Sequence, residues 1–220
     1  MIEWKKCLIG YSTPTAAIGN KINKVNMQLI SDWNTLRDNA HNTAVRHGFW
    51  DDEPSDDHFL CLISSELMEA VNADRKSNNG NLQAMVAIVD QQAASEDGIT
   101  DEWLNTWFKS YFKERVKDSV GDELADAIIR ILDLAGKHNI NLGGIMLTES
   151  RISKEKRFTE NIRTIEKYLC HDGFSLDEKL NYAKQEICNY AEILGIDIIT
   201  HINLKMMYNK TRIVKHGKKY

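Results

Sequence analysis

Val120–Lys137 reads VGDELADAIIRILDLAGK, and its apolar residues recur at helical spacing. Val120, Leu124, Ala127, Ile128, Ile131 and Leu134 share one face, which predicts a buried helix from about Ser119 to His138. Glu123, Asp126, Arg130 and Asp133 fall within an arc of about 80° along one flank of that face. Two carboxylates at the edge of a buried stripe are costly unless something cationic lies between them.

A second helix predicted over about 57–76 repeats the feature. Ser55, Asp56 and Asp57 supply its cap. Phe59, Leu60, Ile63, Leu67, Ala70 and Val71 make its apolar arc, with Glu66 at the border and Glu69 one step outward. Acidic residues number 32 of 220, so pairs three apart arise by chance and spacing alone carries no signal. Their placement at the border of a core does. Residues three apart lie about 60° apart on a helix, close enough to share one ligand. Two such pairs facing each other suit a hard divalent cation, and Mg²⁺ takes oxygen ligands and pairs with substrate phosphates. The competing reading is two amphipathic helices whose acids pair with Arg or Lys, Arg130 among them.

The rest of the chain is also helical in pattern, at about 24–47, 82–95, 100–117, 157–170, 177–194 and 197–213. "YSTPTAAIGN", within residues 1–20, reads as loop. With two prolines and little strand-type alternation, the composition predicts an all-α fold. A 220-residue chain with 42% hydrophobic and 27% charged residues is expected to form one domain over 1–220. Trp103, Trp107, Phe108, Tyr111 and Phe112 form an aromatic stripe that reads as core or subunit interface.

No signal peptide or membrane span is evident, and Cys7, Cys61, Cys170 and Cys188 are scattered without metal-site spacing. Reduced thiols in a cytoplasmic protein are the expectation. The formal charge of −4 argues against a general nucleic-acid partner. The C-terminal stretch NKTRIVKHGKKY is nonetheless rich in Lys and Arg and free of acids. On the last predicted helix Lys205, Tyr208, Asn209 and Arg212 share an arc of about 100°, a candidate phosphate-binding face.

Together these residues resemble the MazG-like all-α nucleoside triphosphate pyrophosphohydrolases, relatives of dimeric dUTPases and dCTP pyrophosphatases. "ELME" (Glu66, Glu69) and "ELAD" (Glu123, Asp126) look like the family's E-x-x-E and E-x-x-D halves, and HGFWDDE and KMMYNKTRIVKHGKKY look typical of one branch. The resemblance implies an antiparallel helical bundle with inserted helices at about 77–117 and 148–197. It implies Mg-dependent hydrolysis of a nucleoside triphosphate to the monophosphate and pyrophosphate, with Mn as a substitute. Glu66, Glu69, Glu123 and Asp126 would be the catalytic and metal-holding residues. Lys205, Asn209, Arg212 and Lys215 would bind phosphates, with Trp50, Phe49 or His47 beside the base. A homodimer or larger homo-oligomer would be expected, with neither nucleic acid nor membrane as partner. The sequence departs from the family in its long gap between Glu69 and Glu123 and in Ser65, where many members carry a further glutamate. The alternatives are a base-restricted dUTPase- or dCTPase-like hydrolase and a catalytically silent nucleotide-binding helical module.

Overall fold

The sharp hydrophobic stripe of Val120–Lys137 becomes the central helix of the fold. The computed structural model describes residues 32–213. Its helices are α1 (Trp33–Arg46), α2 (Asp56–Arg75), α3 (Leu82–Ala93), α4 (Asp101–Trp103), α5 (Lys109–Arg115), α6 (Val120–Lys137), α7 (Phe158–Leu169), α8 (Leu176–Leu194) and α9 (Ile198–Lys210), with a π-helical turn, Leu104–Phe108, between α4 and α5. No strand occurs among the described residues, so the all-α expectation holds. The expected loop within residues 1–20, the expected helical start before Asp32 and the basic tail beyond Ile213 lie outside the described residues.

The long helices begin where their caps dictate. Ser55 accepts the His58 amide at the start of α2, and Ser119 accepts the Asp122 amide at the start of α6. α8 opens on a capping box of Ser175 and Glu178 and stops at left-handed Gly195 (φ 70°).

Around α6 the register is readable from its partners. Asp56 meets His138, Glu66 meets Arg130, and Glu69 approaches Glu123, so α2 runs antiparallel to α6. α1 does the same, with Arg37 bonded to the Ile140 carbonyl and His41 to Asp133. α9 instead runs parallel to α6: His201 lies against Gly121 and Lys205 against Asp122 and Asp126.

One core fills the space between α1, α2 and α6 and continues through α7, α8 and the near side of α9; Leu36, Ile63, Leu67, Leu124, Ile128, Ile165 and Ile187 are fully enclosed in it. The segment 148–197 therefore supplies part of the main core. The segment 77–117 builds a second, aromatic core with the far side of α9: Met85, Val89, Trp103, Phe108, Phe112 and Val116 close on Leu204 and Tyr208. The buried residues step by five from Trp103 to Phe108 and by four to Phe112, and the π turn provides that longer step. The aromatic stripe is thereby divided, and Trp107 stays 56% exposed, stacked on Tyr111.

Candidate metal and phosphate site

The α2–α6 pairing brings the two acidic motifs together. One carboxylate oxygen each from Glu66, Glu69 and Glu123 lie within 4.8 Å of one another. Glu66 and Glu123 are buried and Glu69 is exposed, so the group opens to solvent on one side. Arg130 Nε donates to Glu66 Oε1 at 3.1 Å. Among the described residues no ion pair closes on Glu69 or Glu123.

Burial, then the charges of Asp126, Asp122 and Glu69, push the Glu123 carboxyl up to about 9, against a smaller pull from Lys205. In this state Glu123 holds a proton at neutral pH. A divalent cation among the three carboxylates would replace that proton and remove the repulsion, so the donor set fits a hard, oxygen-seeking ion. A second acidic group, Asp118, Asp122 and Glu123, also converges, but Asp118 is paired with Lys117 and Asp122 with Lys205.

Asp126 stands differently from the expectation. Lys205 Nζ lies 2.7 Å from Asp122 Oδ2 and 2.7 Å from Asp126 Oδ2. Burial alone would lower the ammonium's pKa, but the two carboxylates outweigh it and hold Lys205 charged. Burial raises Asp122 to about 6, with Lys205 pulling the other way. Lys205 is thus not on an exposed phosphate-binding face. It is enclosed between α6 and the aromatic core, 5.7 Å above the Phe112 ring, and the nearest available anions are the α6 carboxylates. Gly121 permits this approach: a Cβ there would meet the His201 ring at 2.4 Å.

Beside the carboxylates a cleft of about 60 Å³ runs between α1, α6 and α9, and Glu66, Asp126, Arg130, Asn209, Arg212 and Phe49 line it. Asn209 and Arg212 therefore line the same cleft as Glu66 and Asp126, while Glu69 and Glu123 lie outside its lining. Trp50 does not reach it. Its ring stacks on Phe59 at 4.1 Å and its Nε1–H donates to Asp133 at 2.9 Å, because the turn after α1 folds it back onto the core. Phe49, one residue earlier, takes the lining position, with Arg130 5.7 Å from its ring centre. His47 bonds the Thr43 and Arg212 carbonyls. Lys215 lies outside the described residues.

Two partners escaped sequence reading. Asp122 is one helical turn before Asp126, so both reach the one ammonium of Lys205. The Asp133 carboxylate collects His41 at 2.8 Å as well as Trp50, tying α1 and its following turn to α6. Nothing in the separate segments HNTAVRHGFW and ILDLAG announces that convergence.

No protein-family model, curated protein or solved structure matches the chain. No helix among the described residues is long and apolar enough to cross a membrane.

Proposed function

We propose that the chain hydrolyses nucleoside triphosphates to the monophosphate and pyrophosphate, with Mg²⁺ or Mn²⁺ held by Glu66, Glu69 and Glu123. The observation that carries this reading is the convergence of three carboxylates, of which Glu69 and Glu123 form no ion pair among the described residues. Arg130 and Lys205 neutralise only part of the acidic cluster, leaving negative charge in excess.

A divalent ion in such a site activates water and neutralises phosphate charge. The chain's own residues bind and orient. Asn209 and Arg212 approach from α9 and the residues just after it, and Arg212 offers a planar fork suited to a phosphate. Glu69, the exposed member of the group, would accept a proton from an attacking water. Asp126 acts through Lys205, holding α9 in register with α6. At about 60 Å³ the cleft has room for about two waters, so a base beside Phe49 requires the cleft to widen.

The Lys205 pairing favours a second reading, in which the acids serve mainly as an ion-pair lock in a silent nucleotide-binding module. Pyrophosphate release measured for each canonical ribo- and deoxyribonucleotide, with Mg²⁺ and with chelator, separates the two. Release that requires the cation supports hydrolysis, and a preference for one pyrimidine identifies a base-restricted enzyme. Nucleotide-induced thermal stabilisation without release of pyrophosphate supports the silent module.

A further inference from the structure

A second cavity, of about 480 Å³, lies on α7 and the segments at its two ends and shares no lining residue with the carboxylate cleft. Arg151 and Lys156 enter it from the segment before α7, and Arg163 and Lys167 from α7 itself. Among the described residues, no Asp or Glu lines it.

None of the four cations forms an ion pair with a carboxylate among the described residues. Arg151 lies 5.9 Å from the centre of the Tyr168 ring, and Lys156 donates to the Arg151 carbonyl. Arg163 acts on Glu166 only through its field. Arg163 and Lys167, four apart on one helix, repel each other. The helix dipole accounts for Lys167 in the last turn. It does not account for Arg151 and Lys156, which a different segment brings to the same place.

The remaining wall is aromatic. His171 stacks on Phe174 with ring centres 4.1 Å apart, and Tyr168 lies 6.1 Å from Phe174. The Gly173 amide donates to His171 Nδ1 at 3.1 Å, which fixes the ring and leaves Nε2 as the proton-bearing nitrogen.

We propose that this cavity is a binding site for a small phosphorylated ligand with a planar group, of the nucleotide class. Phosphates lie among Arg151, Lys156, Arg163 and Lys167, and the planar group lies against His171 and Phe174. Charge-assisted hydrogen bonds and ring stacking act together in such a site. Its volume is that of a small-ligand pocket, whereas a single nucleic-acid strand needs a longer basic groove. The site requires no divalent cation and is independent of the proposed hydrolysis.

That independence sets the test: calorimetric titration of the full chain with ATP, ADP and inorganic tripolyphosphate in excess EDTA. Saturable nucleotide binding is expected, weakened at least about tenfold in the double variant Arg163→Glu/Lys167→Glu. Both positions are exposed, and helical circular dichroism verifies the fold. His171→Ala is expected to weaken ATP but not tripolyphosphate, and Glu123→Gln to leave this binding intact. No binding in EDTA, or equal binding by the charge-reversed variant, overturns the site. Equal losses of ATP and tripolyphosphate in His171→Ala overturn the stacking role. A ten-nucleotide single strand bound far more tightly than ATP through the same residues overturns the small-ligand assignment. Failure of pyrophosphate release leaves each of these outcomes readable.

Discussion

Burial takes Lys205 out of water and gives it the carboxylates of Asp122 and Asp126 in exchange. Removing one side of a buried ion pair exposes the other to the full desolvation cost. Lys205→Met keeps the stem and deletes the charge, so it leaves two acids facing Glu123 without compensation. Chemical denaturation is expected to show a loss of about 3–5 kcal/mol, partly recovered by millimolar Mg²⁺. An unchanged midpoint would mean that the ammonium contributes nothing to the fold. Glu123 gives the corresponding pH signature. Its carboxyl titrates near 9 in the folded protein, against 4.5 ordinarily. Between those values the unfolded chain is ionised and the folded chain keeps its proton. Stability without metal therefore falls as pH rises, by at most about 1.4 kcal/mol per pH unit from this group. The decline levels off above about 9. Glu123→Gln lacks this dependence, so its melting temperature should pull ahead of the parent's from pH 5 to pH 9 in EDTA. Parallel profiles would place Glu123 in a more solvated setting than the structure gives it.

Single glycines set how closely the helices pack, and α6 carries two, Gly121 against His201 and Gly136 against His41. Gly121→Ala must push the His201 ring aside, and with it the turn of α9 that delivers Lys205. A destabilisation of about 1–3 kcal/mol is expected from overpacking, together with weaker cation binding; a variant as stable as the parent would show that α9 has room to move. At this scale the sequence was most legible where one face is buried and the other is wet. α2 and α6 therefore emerge within a residue or so of their expected bounds, α2 with its Ser55 cap. α9 was legible as a helix but not in its surroundings. Its polar arc of Lys205, Tyr208 and Asn209 is covered because α6 lies on one side and the aromatic core of α3–α5 on the other. Periodicity reports how residues share a face and is silent on whether a second layer will cover it. The same limit explains Trp50 and Phe49. They are adjacent in sequence, and only the backbone of the turn after α1 decides which ring packs on Phe59 and which lines the cleft. The π turn escaped for a related reason: a five-residue step between buried aromatics is visible only once the inward residues are known.

Across the whole molecule, α1 and α2 run against α6 and α9 runs with it, and the carboxylates, Asn209 and Arg212 gather where these helices meet. The aromatic core on α3–α5 backs α9 from behind, and the α7–α8 hairpin completes the main core while carrying its own basic cavity. Under the proposed function, stability and chemistry would draw on different members of the same acidic cluster: Asp122 and Asp126 hold Lys205, while Glu69 and Glu123 have no ion pair among the described residues. That division permits a direct measurement. Glu123→Gln is nearly isosteric and removes one negative charge from the candidate metal site. Pyrophosphate release from nucleoside triphosphates in Mg²⁺ should fall by orders of magnitude in this variant, while its melt without metal matches or exceeds that of the parent. Full activity in a folded Glu123→Gln protein would contradict the assignment of Glu66, Glu69 and Glu123 as the metal site.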